Sequence, residues 1–233
     1  RTLNDDFNSL PGLTRATMRY LINRSGPLAM SVNQAGGFFR GHADEPVPNI
    51  QLYFNPLSYR IPAPPDTTLT ADAYSGFLLA FNSCRPDSRG TIDLASADAN
   101  EPAVIRPNYL GTRRDQDEAI QGSRLIRALA ETAALGAVID AEVTPADAVH
   151  DDQSMLEYFR ANAGSIYHLC GTCAMGPDPR EAVVDGSLRV HGVSGLRVID
   201  ASIFPNITSG NLNAPVMMVA EKGADLILQD HPI

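Results

Sequence analysis

The sequence predicts an α+β chain in which a mainly antiparallel sheet carries flanking helices. Two short β-favouring runs, NIQLYFN at 49–55 and YSGFLLAFN at 74–82, supply strands. Two longer stretches repeat apolar residues at helical spacing, one through Ile126, Leu129, Ala130 and Ala133 and one from about Ala214 to Leu228. Strands and helices do not alternate as regular βαβ units, which argues against a doubly wound parallel sheet.

Each element has its own signal. Near the start, Met18, Leu21 and Ile22 fall at i, i+3 and i+4, so the opening segment reads as a helix that Gly26-Pro27 stops. Gly36-Gly37 then introduces Phe38 and Phe39. Between the two strands, IPAPPD at 61–66 lacks three amide donors and cannot continue a ladder, so it reads as a surface excursion. GTIDL at 90–94 reads as a third strand. Asp115, Asp117 and Glu118 precede the Ile126 series as a helix amino end with favourable charge, and Gly136 follows it. A further helix runs from about Ser154 to Ala163, capped by Asp151 or Asp152, with Met155, Leu156 and Phe159 facing inward and Gly164 ending it. The last third is dense in Gly, Asn and Pro, and repeats the triplet Leu-Arg-Val at 188–190 and 196–198. In the final helix, Val216, Val219, Ala220, Gly223, Ala224 and Ile227 share one face.

Composition narrows the classes of function. The 233 residues are 44% hydrophobic and 19% charged, enough for a sizeable core. A net charge of −9 repels phosphate backbones and anionic lipid surfaces, so nucleic acid is not an expected partner. No run approaches the roughly 18 apolar residues of a membrane span, and RTLNDDFNSL lacks the apolar stretch of a secretory signal. Three cysteines form no even disulfide framework, which points to a reducing, cytoplasmic setting. Cys170 and Cys173 make a C-x-x-C, but no second pair of ligands follows at zinc spacing, so no metal is expected.

Two places carry chemistry. In SIYHLCGTCAMG at 165–176, His168 sits between an aromatic residue and a glycine-rich turn; a lone histidine in an apolar stretch is more often a packing residue than a catalyst. In NITSGNLNAPVMM, Asn211 and Asn213 stand directly before the last helix, where free backbone amides and the positive helix end can face an anion or an electron-rich ring. Capping is the plainer reading of those asparagines.

The strings HLCGTCAMG, VVDGSLRVHGVSGLRVIDASIFP and SGNLNAPVMMVAEKGADLI, in that order, resemble the carboxy-terminal signature of the glucose-methanol-choline (GMC) oxidoreductases, most of all their choline dehydrogenase and alcohol dehydrogenase branch. RSGPLAMSVNQAGGFFR, PNIQLYFNP and RPDSRGTIDLASADANEPAVIRPNYL resemble the substrate domain of the same family. The resemblance implies FAD as cofactor and a small-molecule alcohol as substrate. It implies that His168, in H-x-x-G-T, is the catalytic base and that Asn211 shares the substrate oxygen. The chemistry fits those residue types: imidazole accepts a proton near neutral pH, and an amide N–H holds an oxygen as charge grows on it. Asp200 and Ala201 of VIDAS resemble the flavin-contacting segment, and Leu212 and Asn213 are expected near the flavin ring. Tyr167, Tyr53, Phe54 and Asn55 are expected in the substrate cavity.

The family's G-x-G-x-x-G dinucleotide fingerprint is absent from these 233 residues. The expectation is therefore a substrate-binding domain at 1–160 and a catalytic segment at 161–233 that returns to an FAD domain. The amino-terminal part of that domain lies outside the sequence, in the same chain or another, and the fragment alone is expected to bind FAD weakly or not at all. A hydroxynitrile lyase on the same fold and a non-catalytic fragment are the alternatives. With no Trp in the chain, choline-type, primary, aryl and polyol substrates all stay open.

Overall fold

A computed structural model of the chain describes residues 1–60 and 69–230; the Pro-rich stretch at 61–66 lies outside them. Helix α1 (Leu3–Phe7) leads into α2 (Leu10–Asn23), whose cap Ser9 accepts from the Gly12 N–H and whose Pro11 sits where no amide donor is needed. The expected opening helix is therefore present, but Met18, Leu21 and Ile22 do not face a core: all three are exposed.

The central sheet has three antiparallel strands in the order β1 (Ala35–Phe39), β2 (Ile50–Asn55) and, after the two-residue strands β3 (Tyr59–Arg60) and β4 (Thr70–Ala71), β5 (Leu78–Ser83). The expected run at 74–82 pairs only from Leu78 onward, because the chain bends at residues 73–75. β1 had no strand signal beyond Phe38 and Phe39, since two glycines occupy its centre. Strands β6 (Thr91–Asp93) and β7 (Val104–Arg106) form a separate two-stranded ribbon.

Register divides the central sheet into two faces. Leu52 lies opposite Phe81 and Phe54 opposite Leu79, while Gln51 lies opposite Asn82 and Tyr53 opposite Ala80. The Leu52 and Phe81 face carries helix α3 (Arg113–Ala130). Gly122 of α3 packs where any Cβ would overlap the Phe81 ring, so its close approach requires glycine. The acidic cluster is part of α3 rather than its prelude. Asp115 and Glu118 are buried: Asp115 accepts from the Asp87 and Ser88 N–H groups at 2.8 Å, and Glu118 accepts from the Ser83 hydroxyl. The helix stops at Ala130, short of Ala133, which opens the four-residue α4 (Ala133–Gly136).

Helix α5 (Asp152–Asn162) is capped by Asp151 through a reciprocal box with Ser154. Met155 and Leu156 are buried, and the Phe159 ring packs against Phe81 at 5.4 Å. The larger core cluster comes from the last third alone: Val184, Leu188, Ile203, Phe204, Leu212 and Val219. The repeated Leu-Arg-Val triplets meet there, since Arg189 and Arg197 form an antiparallel bridge and both bind Asp230, holding that carboxyl down at about 2. Helix α6 (Asn213–Asp230) closes the chain. Val219 and Gly223 of its expected face are buried, but Ala220, Ala224 and Ile227 are exposed. Its apolar arc is wider than the surface this chain offers it.

The total accessible surface is 15,331 Å² for 25.0 kDa. A self-contained globule of that mass exposes about 10,000 Å². No helix among the described residues is long and apolar enough to cross a membrane.

Candidate active site

His168 and Asn211, 43 residues apart, meet side by side: Asn211 Nδ2 lies 2.6 Å from His168 Nε2. Two turns bring them together. Ahead of α6, the segment 206–211 is clipped to the sheet and its continuation by three long-range contacts: Gln51 to Asn211, Arg85 to Ser209 and Arg89 to Asn206. The His168 turn is held from behind, where Gly171 and Cys173 N–H groups both donate to the Ser202 carbonyl and Met175 donates to Ile203. Gly171 has φ 98°, which explains the glycine of H-x-x-G-T. Tyr167, with φ 63°, takes the left-handed conformation directly before the histidine.

The imidazole is approached from both ring nitrogens. Besides the Asn211 contact, the Leu212 backbone N–H points at Nδ1 at 3.3 Å. A neutral imidazole carries one lone pair and one N–H, so the two contacts compete, and the short one is at Nε2. Asn211 in turn accepts at Oδ1 from Gln51 Nε2 at 2.9 Å. Gln51 belongs to β2, on the face opposite α3. The same face holds Tyr53, whose phenol is pushed up by burial, the neighbouring Asn211 amide acting in the opposite sense.

That face carries an unusual polar load. Among the described residues, Gln51 Oε1, Tyr53 Oη, Asn55 Oδ1 and Asn82 Oδ1 are buried without hydrogen-bond partners, and all four alternate onto one side of β2 and β5. Buried polar groups are ordinarily paired, and each orphan costs about 1–3 kcal/mol.

A family model described as GMC oxidoreductase matches residues 86–220, more than half of the chain. The chain belongs to the GMC oxidoreductases. Among curated relatives, an alcohol dehydrogenase [acceptor] of Pseudomonas putida is 34% identical over 96% of this chain and 39% of its own length. An oxygen-dependent choline dehydrogenase of Pseudomonas fluorescens is 38% identical over 92% of this chain and 37% of its own length. The chain thus spans well under half the length of these relatives. Pyridoxine 4-oxidase from Mesorbium loti superposes with a TM-score of 0.74 at 27% identity, over 87% of this chain and 39% of that one. The Aspergillus oryzae formate oxidase, a protein studied for its FAD modification, superposes at 0.84 over 99% of this chain and 44% of that one; at 22% identity this likeness speaks to fold alone.

The other expected site residues of this GMC chain fall into three groups. Leu212 and Asn213 adjoin the pair, but the Leu212 side chain is buried in the core and only its backbone N–H reaches the imidazole. Asn213 opens α6 with its amide near the Met217 sulfur at 3.9 Å. Asp200 caps the short 3₁₀ turn Ala201–Ile203 by accepting from the Ser202 N–H, which sets that turn against the His168 loop. Tyr53 lies beside Asn211, on the Gln51 face of β2. Phe54 does not: alternation turns it to the α3 side, where it packs on Phe77 at 5.4 Å. Tyr167 is 91% exposed and encloses nothing in this chain. Gln51, which contacts Asn211, was not among the residues expected from sequence. Period-two counting from Tyr53 selects it and rejects Phe54, so that signal was available in the strand.

Cys170 and Cys173 are free thiols; burial pushes Cys170 up as it packs against the core. Among the described residues no group of three or more His, Cys, Asp or Glu is placed to hold a metal.

Proposed function

We propose that this chain is the part of an FAD-dependent alcohol oxidoreductase that takes the substrate proton and holds the substrate oxygen, with the rest of the flavin-binding domain supplied by sequence beyond it. The 2.6 Å apposition of His168 and Asn211 carries the proposal. Two polar side chains from separate motifs converge there, beside the amino end of an 18-residue helix.

The roles follow from the groups. An alcohol oxygen seated against the pair gives its proton to His168 Nε2, the nitrogen that faces Asn211. As the O–H bond breaks, the Asn211 NH₂ donates to the oxygen, stabilising charge that is greatest in the transition state. The C–H electron pair leaves as hydride while the carbon–oxygen double bond forms. FAD, when bound, supplies the acceptor for that hydride. Flat aromatic and apolar contact is available for a flavin ring, because Tyr167, Leu169, Met217 and Met218 are exposed along the segments that carry His168 and Asn213. The backbone of Asp200-Ala201 adjoins the same loop through Ser202 and is the proposed further contact. Residues 1–160 form the substrate-binding unit and residues 161–233 the returning catalytic segment in this reading, supported by a core cluster drawn only from the last third.

The surface area supports the need for a complement. The excess over a self-contained globule, about 5,000 Å², is on the scale of a permanent interface. His168→Ala in the complete flavoenzyme is the decisive experiment. Alcohol turnover, followed by anaerobic flavin bleaching, is expected to fall about a thousandfold; unchanged turnover rejects the assignment.

A further inference from the structure

The Gln51 amide has one partner and one orphan. Its Nε2 donates to Asn211 Oδ1, while its Oε1 is buried and unpaired, and the residue as a whole is only 8% exposed. Turning the amide over would exchange the two ends and bury an unpaired NH₂ instead of an unpaired oxygen. Orphaned N–H groups are the rarer and costlier of the two, because a carbonyl oxygen tolerates incomplete pairing. Gln51 is thereby fixed as a donor toward Asn211.

The consequence passes along the chain of contacts. Asn211 must present its oxygen to Gln51 and its NH₂ to His168. Asn211 stands at Nε2 of the ring while the Leu212 N–H points at Nδ1, so the place of the Asn211 amide beside Nε2 depends on its hold by Gln51.

We propose that Gln51 is a positioning residue that fixes the Asn211 amide in its place beside His168 Nε2. The proposal rests on the assignment of His168 and Asn211 given above. Gln51 touches neither the reacting atoms nor the imidazole. It acts from the substrate-side sheet on a pair that belongs to the carboxy-terminal segment, so the two parts of the chain share one hydrogen-bond path.

The test uses the complete flavoenzyme with alcohol as substrate. Gln51→Met keeps the volume and removes the donor; Gln51→Glu keeps the shape and offers only acceptors. Both are expected to lower kcat by about 10–100-fold with KM changed less than about threefold, a pattern that follows loss of a transition-state contact. In an Asn211→Ala background the same substitutions are expected to add less than about a twofold loss, since the group being oriented is gone. Parent-like kcat in Gln51→Met, or losses that multiply in the double variants, overturns the proposal. His168→Ala separates the two levels: if it abolishes turnover while the Gln51 variants do not, only the positioning role fails, and if it leaves turnover intact, the underlying assignment fails first. Retained FAD absorbance and melting temperature in each variant exclude unfolding as the cause of a loss.

Discussion

The exposed half of α6 offers a direct test of the proposed complement. Around this helix, Val219 and Gly223 are buried, and Ala220, Ala224 and Ile227 continue the apolar arc into solvent. Lys222 is equally exposed but lies among Glu221 and Asp225 on the charged side. From this chain alone, Ala224→Glu and Lys222→Glu therefore cost the same, a few tenths of a kcal/mol. If the arc packs against a flavin-binding domain, they differ sharply. A carboxylate forced into an apolar interface without a partner costs about 3–5 kcal/mol, while one on the charged side still costs almost nothing. The excess surface of about 5,000 Å² is large enough for such an interface to include all of the arc. Denaturant unfolding of the complete enzyme, with flavin release as a second probe, measures the gap. Equal effects below about 0.5 kcal/mol for both substitutions would refute the reasoning.

Two further outcomes test the scaffold behind the site. Gly122→Ala places a methyl group into the Phe81 ring, which also packs on Phe159, and is expected to cost about 1–3 kcal/mol in denaturant unfolding. Asp115→Ala removes the acceptor for the Asp87 and Ser88 N–H groups and is expected to cost about 3 kcal/mol at neutral pH. Its pH dependence has a defined sign. Burial alone would raise the Asp115 carboxyl, but the Ser88 hydroxyl and the two N–H donors outweigh it and hold it below the usual 3.8. A lowered folded-state value means the contribution is complete above pH 3.8 and disappears as pH falls through the lower, folded value. The stability gap between parent and Asp115→Ala should accordingly close in acid, and a gap that stays constant down to pH 2 contradicts this account.

What was legible in the sequence follows from the range of each interaction. Helices α3, α5 and α6 and strand β2 announce themselves through local periodicity and caps, and all four are present. β1 was obscured because Gly36 and Gly37 supply no side chains to pattern, and its strand character comes from pairing with β2. α2 and α6 are legible as helices, but what covers their apolar residues is not, since periodicity reports that a face is apolar and not what packs on it. His168 and Asn211 are reached through ordered motifs, whereas Gln51 is reached by counting period two along β2 from Tyr53, and its contact with Asn211 spans 160 residues. Tyr53 and Phe54, as adjacent strand residues, point to opposite faces of β2 and do not line one cavity.

The two faces of the central sheet divide its work. Toward α3 it is apolar, built from Leu52, Phe54 and Phe81, and it fixes the position of β2 against the helix layer. Toward the His168 and Asn211 pair it is polar yet uncharged, with amides at 51, 55 and 82 and a phenol at 53. Four buried polar atoms on that side lack a partner among the described residues. Neutral amides suit a site in which negative charge appears on an oxygen and then vanishes into a carbonyl. They present dipoles whose direction is set beforehand by the strand, and they place no fixed carboxylate to repel the developing charge. In this arrangement the rigidity won on the α3 side of the sheet is what allows a single amide on the other side, Gln51, to determine which way Asn211 points.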